Sequence, residues 1–534
     1  MRRYFEIAQG MASQAIFQFK TTEVRRNAMK KVIALTLTIL MIFSLCACGG
    51  QSQESSNAPI VFTYAAPESI TSLDLNNSTF IELQSIAALY GDAIIKSEVD
   101  GSYVNWLATD ISWSDDYLTC DITLRDNVDF SNGKHMTAYD YVGSVQRILN
   151  DETLHGYSHF TDVESIEQTG DYTCRVKFKT VPVLFNDYWK SICVIDIDAY
   201  NENPETFFDA PITTGSFTVS SFDPVTCEIH LTRNDSWWGW EAFGGQKTNV
   251  DEIVFKCINE DTTRVSALRT GEIDFAKMIP ADNVATIKGE GFNVESFSRN
   301  EAVYVGLQVD GIFQDQKIRE AFSYCINRPL LVASVVGGGE ACTWPCLPMN
   351  EGFNGSVNAY PFDLDHAKQC LAESSYNGEE VNVIIATSKI TRGNEVIQAI
   401  TNMMEAAGFK VNVETLEFAS FADRRSAGTY DVHISAFTFS SSYAELTSLI
   451  GTDRMGTHFL PDDLKDVISR LTGVGDPAKR EALCLEGLTL VANYFDPVVP
   501  LYQTFEEDAC KPNITGIGYS SAGWHDFRYM QVGE

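Results

Sequence analysis

Between Glu380 and Thr438 the hydrophobic period switches repeatedly, and this constrains the fold more than any other stretch. Glu380 to Ala386 reads as a strand. From Arg392 to Ala407 the apolar residues Val396, Ile397, Ile400, Met403 and Met404 recur at helical spacing, and Gly408 follows as a C-terminal cap. Lys410 to Leu416 alternates through Val411 and Val413, and Phe418 to Ala427 forms a short helix. In the next strand Val432, Ile434 and Ala436 alternate with His433, Ser435 and Phe437. A βαβαβ run demands parallel strands joined by right-handed crossovers. Ligands of open α/β sheets sit beyond the carboxyl ends of the strands. The segment Gly428–Glu445 is therefore expected to be the lip of a ligand cleft. Its serines Ser440, Ser441 and Ser442 have no apolar reason to be buried.

The chain of 534 residues exceeds one ordinary domain, and 44% apolar residues suffice for substantial cores. Beyond residue 47 it carries 32 basic against 70 acidic side chains. Such a body repels nucleic acid and anionic membrane surfaces. Enzyme signatures fail on inspection. Gly518-Tyr-Ser520-Ser-Ala522 lacks the final glycine of a nucleophile elbow. Gly133-Lys134 runs into His135, so it is no phosphate loop, and Gly337-Gly338-Gly339 before Glu340 reads as a flexible turn. His155 and His159 lie four apart and could share a helix face as metal ligands. With no acidic or cysteine partner at diagnostic spacing, no metal site or cofactor is expected.

The amino-terminal segment carries an address. Met29-Lys30-Lys31 precedes an apolar run from Val32 to Leu45, too short for a comfortable membrane span. Leu45-Cys46-Ala47-Cys48 then leads into Gly49-Gly50 and a Gln/Ser-rich tether ending near Asn57. This resembles a bacterial lipobox. Residues 29–47 are expected to be the lipoprotein signal, Cys48 the lipidated residue, 48–57 the tether, and Met29 the initiator, with 1–28 an over-extended start. The eleven cysteines beyond Cys48 form no disulfide framework and read as small core residues. Cys342 and Cys346 alone are spaced to close a small loop.

A family shows itself in the ordered motifs. Leu124-Arg-Asp-x-Val-x-Phe-Ser-x-Gly133 leads to Thr137-Ala-x-Asp140. Thr214-Gly215-Ser216-Phe217, Arg233-Asn-Asp-Ser-Trp-Trp-Gly239, Gly271-Glu-Ile-Asp274, Lys317-Ile-Arg-Glu-Ala321 with Ile326-Asn-Arg328, and Pro500-Leu-Tyr502 follow. Together they resemble the solute-binding proteins of peptide ABC transporters. The resemblance implies a type II periplasmic-binding-protein α/β fold: two hinged lobes plus an extra domain. Lobe I is expected at 58–92, 212–300 and 504–534, the extra domain at 93–211, and lobe II at 301–503. It also implies a monomeric, non-enzymatic extracytoplasmic protein, anchored to the cell membrane by lipid, that closes over a peptide and presents it to the permease. The alternative is a nickel-type metal chelate or another non-peptide solute on the same fold.

The same resemblance places ligand contacts at Thr79 and Phe80 on the first lobe and Tyr157 in the extra domain. In the far lobe it places them at Phe418, Arg425, Ala436, Phe437, Thr438 and Ser440. Phe418 serves as an aromatic wall and Arg425 as a partner for the peptide carboxylate. The strand around Ala436–Thr438 pairs with peptide backbone. The family carries an aspartate for the peptide ammonium where this chain has Ser440, and a hydroxyl cannot neutralise an ammonium. Glu445 is the nearest downstream carboxylate that could reach in. Trp237-Trp238-Gly239-Trp240 matches a structural Tyr-Trp of the family and is expected in core or hinge packing.

Overall fold

The computed structural model describes residues 58–77, 81–98, 101–242, 247–439, 441–495, 497–520 and 522–533. Apart from Ala58 these belong to the second of two units, Pro59–Glu534. Among them no helix is long and apolar enough to cross a membrane.

The chain enters through β1 (Val61–Ala66) and α1 (Ile81–Tyr90). An antiparallel sheet follows, with strands β2 (Ala108–Trp113), β3 (Thr119–Leu124), β4 (Val163–Gly170) and β5 (Thr173–Phe178) in the order β2-β3-β5-β4. The turn into α2 (Ala138–Leu149) forms the capping box that Thr137 and Asp140 foreshadow, with the Thr137 N–H donating to Asp140 Oδ2 at 3.0 Å. Strands β6 (Phe217–Asp223), β7 (Glu228–Arg233), β8 (Glu252–Cys257) and β9 (Phe275–Ala276) then build around β1.

The carboxyl-terminal half supplies β10 (Asn293–Leu307), α3 (Gln316–Cys325), β11 (Glu340–Ala341) and α4 (Leu364–Glu373). Next come β12 (Glu380–Ile385), α5 (Gly393–Ala407), β13 (Lys410–Thr415), α6 (Phe418–Ser426) and β14 (Val432–Thr438). β12 pairs in parallel with both β13 and β14, as the alternating periods require. Gly408 caps α5 in the left-handed region at φ 111°. The helices α7 (Asp462–Leu471) and α8 (Pro477–Asn493) precede β15 (Val498–Cys510).

One eleven-stranded sheet results, in the order β13-β12-β14-β10-β15-β9-β1-β8-β7-β6, with β11 on β15. The long strands β10 and β15 carry it from one half to the other. Their antiparallel register breaks between Ser298 and Ala302, a bulge of the kind that bends a strand pair. Separate apolar cores flank this crossing. One packs Phe62, Tyr64, Phe255 and Phe275, and another packs Val305, Phe322, Val383 and Ile434. A third gathers Trp106, Tyr141 and Trp189 around the β2–β5 sheet.

Trp237, Trp238 and Trp240 belong to that third core and are buried, so they pack rather than stack on a ligand. The carboxylate of buried Asp92 ties them in. It accepts indole N–H bonds from Trp106 at 2.7 Å, Trp238 at 2.9 Å and Trp237 at 3.0 Å. Gly215 in the Thr-Gly-Ser-Phe turn sits against the end of α1. A Cβ there would lie 2.2 Å from the Tyr90 carbonyl carbon, which explains the glycine. All eleven described cysteines are free thiols, and Cys342 and Cys346 form no disulfide.

Candidate ligand cleft

β12 and β13 end level with Ile434 while β14 runs on to Thr438; the segments after β12 and β13 carry Lys389 and Phe418, and the end of β14 carries Phe437. β14 pairs with β10 along its whole length, from Val432–Leu307 to Thr438–Glu301. On its other side it pairs with β12 only from Val432 to Ile434. Ser435–Thr438 therefore have a strand neighbour on one side only, among the described residues. Thr438 is exposed, Ala436 half-buried and Phe437 buried.

Below this edge β14 is rigidly held. His433 is fully buried on the face away from the Val432–Ile434 core, and burial lowers its pKa to about 3, so the ring is neutral. The Met455 carbonyl can only accept, so His433 Nε2–H donates to it at 3.1 Å. Nδ1 is then free to accept from the Ser435 hydroxyl, also at 3.1 Å. Gly306 on β10 makes room for the ring, since a Cβ there would stand 2.2 Å from His433 Nε2.

Two arginines gather on the next residue of the same face. The Arg425 guanidinium lies 5.4 Å from the Phe437 ring centre and 5.7 Å from that of Phe421. Arg454 lies 5.3 Å from the Phe437 ring. Neither has a carboxylate within ion-pair distance among the described residues, and Arg425 Nε is buried without a hydrogen-bond partner. Burial first, and the Arg454 charge second, hold the Arg425 pKa below its ordinary value. Lys389 Nζ sits 5.0 Å over the ring of Phe418, which is 47% exposed. In a chain with nearly twice as many acidic as basic side chains, cations that meet rings instead of carboxylates form an anion-accepting surface.

One carboxylate approaches from the sheet. Glu301, opposite Thr438 on β10, accepts from the Thr504 hydroxyl at 3.1 Å. It has no cationic partner among the described residues. Arg454, Lys389, Glu301 and Thr504 escaped the sequence reading. Lys389 ends a short 3₁₀ turn and the others stand in ordinary loop or strand context, and only the tertiary fold draws them to one strand end.

The structure thus brings Phe418, Arg425, Ala436, Phe437 and Thr438 to one place. Tyr157 lies elsewhere, in a 3₁₀ turn (His155–His159) beside Asn76, with its hydroxyl donating to Glu152 at 3.4 Å. Cys48, Thr79, Phe80 and Ser440 lie outside the described residues. Two expectations are corrected, and the histidine pair is placed. Ser441 and Ser442 are buried, because Ser441 Oγ caps the short helix Ser442–Ala444 and the Ser442 N–H donates to Glu351. Glu445 does not reach into the cleft; it is buried and accepts from the Tyr304 hydroxyl. His155 and His159 share no α-helical face, and His159 stacks flat on Tyr188 at 4.3 Å.

Tyr443, just past the serines, faces the β2–β5 region. It lines a space of ≈ 340 Å³ with Asp162, Val183 and Phe185, and one of ≈ 440 Å³ with Tyr103, Asp187 and Arg480. Nearby, the Tyr117 ring rests directly on Gly475.

A sheet crossed by two long strands, with a one-sided strand edge at the carboxyl ends of the far half, is the architecture of a two-lobed binding protein of the periplasmic type. The chain belongs to the bacterial extracellular solute-binding proteins, family 5, whose middle region matches residues 102–449. It is a substrate-binding protein of ABC importers and not an enzyme. It is 24% identical over 472 residues to heme-binding protein A of Haemophilus influenzae, covering 79% of this chain and 83% of that one. It is 22% identical over 358 residues to the glutathione-binding protein GsiB of Salmonella paratyphi A, covering 66% and 69%. Among solved structures, the unliganded open form of the periplasmic murein tripeptide-binding protein MppA superposes with TM-score 0.77 at 18% identity. That match covers 89% of this chain and 98% of the other.

Proposed function

We propose that this protein captures a peptide-like solute outside the cytoplasm and delivers it to an ABC permease, held at the membrane by lipid on Cys48. The observation that carries the reading is the half-free edge of β14. Ser435–Thr438 offer backbone groups with no strand beside them, and an extended peptide completes such an edge strand to strand. Arg425 and Arg454 on Phe437 then take a ligand carboxylate. Glu301 supplies the negative charge that Ser440 lacks for an ammonium. Two of the three relatives' printed ligands, a murein tripeptide and glutathione, are in keeping with such a site, whereas the third, heme, is not a peptide.

In this reading the lobes divide near the Ser298–Ala302 irregularity. Lobe I takes 58–92, 212–300 and 504–534, the extra domain 93–211 and lobe II 301–503. The lobes close over the ligand by bending β10 and β15. Thr79, Phe80 and Tyr157 contribute from the facing side, and the protein acts as a monomer.

Calorimetry with a free tripeptide, its amino-acetylated form and its carboxy-amidated form tests the reading. The free peptide should bind, and either block should weaken it at least tenfold. A chain that binds no peptide, yet shifts its unfolding temperature with a metal chelate after prior chelation treatment, overturns the proposal in favour of the chelate alternative.

A further inference from the structure

On the far lobe, apart from the cleft residues, α3 and α4 face each other with a second set of converging groups. Glu320 comes from α3, and His366 and Cys370 come from α4, where a spacing of four puts both on one helix face. His366 Nε2 lies 3.1 Å from Glu320 Oε1 and 3.4 Å from Cys370 Sγ. All three donor atoms lie within 4.8 Å of one another. A tetrahedral zinc-type ion, at about 2.0–2.1 Å from nitrogen and oxygen and about 2.3 Å from sulfur, holds its donors roughly 3.3–3.6 Å apart. The side chains already stand near that spacing.

We propose that Glu320, His366 and Cys370 bind one thiophilic divalent transition-metal ion of the zinc class, which fastens α3 to α4. The surroundings suit it. Lys317 Nζ holds the other carboxylate oxygen, Glu320 Oε2, at 3.0 Å, which turns Oε1 toward the imidazole. The Tyr324 ring packs edge-on against His366 at 4.4 Å and fixes its orientation. The His366 side chain is 36% exposed, which gives an ion a route in and leaves water as the fourth ligand. Cys370 is buried, and its thiol gives up its proton to solvent as the sulfur–metal bond forms. The mixed N, O and S donor set selects zinc or cobalt over magnesium or calcium, which prefer oxygen alone.

The test uses the full chain, stripped with a chelator and titrated with zinc chloride, then with cobalt(II). One ion should bind per chain with proton release, and cobalt should add a thiolate-to-metal charge-transfer band. Cys370→Ser should abolish that band and weaken zinc at least tenfold, and His366→Gln should weaken it similarly. Glu320→Gln, at a partly exposed helix position, gives a third reading should a core variant fail to fold. No stoichiometric uptake, or uptake unchanged in all three variants, overturns the site.

Discussion

Tyr304 and Glu445 meet in the interior of the far half. The Tyr304 hydroxyl donates to Glu445 Oε1 at 2.9 Å, while Oε2 is buried with no hydrogen-bond partner among the described residues. Burial pushes the Glu445 carboxyl up to about 8; the Tyr304 bond lowers it in part and the Glu351 charge raises it again. The carboxyl is therefore protonated at neutral pH and does not compete for a ligand's ammonium.

A pH dependence follows. Unfolded, Glu445 titrates at about 4.3, so between that value and about 8 the folded chain holds a proton that the unfolded chain has released. Its stabilising contribution is complete below the unfolded pKa and is lost as pH rises through the folded one, at up to about 1.4 kcal/mol per pH unit. Asp508, raised to about 7 by burial, acts in the same direction and stays in the variant. Urea unfolding from pH 5.5 to 8.5 should therefore show a steeper loss in the wild type than in Glu445→Gln. Parallel curves would refute the assignment.

Glu445 also shows where the sequence stops being informative. A carboxylate just past a serine run at a strand end reads as a group facing the cleft, because nothing local announces that Tyr304, from another strand, will bury it. The same holds for Ser441, whose capping role depends on a helix of three residues. By contrast, the parallel β12–β13–β14 arrangement was legible, since apolar period and Gly408 are local signals that agree with the global packing. Phe418, Arg425 and Phe437 came from position within the resemblance, not from a local signal, and the fold sets them around Phe421 and one another. Arg454 follows the π-helical segment Glu445–Gly451, which has no hydrophobic period to place it. Glu301 sits inside a fifteen-residue strand whose bulge the alternation does not mark.

Asp92 should matter for stability. Its carboxylate receives three indole N–H bonds and the Thr214 hydroxyl, the last at 3.1 Å. Asp92→Ala leaves these buried donors without an acceptor, at about 1–3 kcal/mol for each unsatisfied group before relaxation. Denaturant unfolding should show a loss of several kcal/mol, with altered tryptophan emission in the native state. Asp92→Asn, which keeps one acceptor oxygen, should lose less. Equal stability of the Ala variant and the wild type would show that water replaces the carboxylate.

The Arg425–Arg454 pair separates recognition from stability. Both guanidiniums rest on Phe437, and the Arg454 charge disfavours that of Arg425, so without an anion the pair is electrostatically uncomfortable. On the proposed function, an incoming carboxylate would relieve the repulsion and meet the partnerless Arg425 Nε in a charge-assisted bond within a partly dry site. Arg425→Gln should therefore weaken a peptide with a free carboxylate by roughly 10- to 100-fold. It should leave unfolding stability unchanged or slightly higher. Arg425→Lys should rescue only in part, because an ammonium can neither stack on Phe437 as a plane nor present a fork. Arg454→Gln, at an exposed position, should cost less and reduce the salt dependence of binding. The decisive comparison is the amidated ligand. If Arg425→Gln weakens it as much as the free acid, the arginine acts through packing on Phe437 and not as a carboxylate partner.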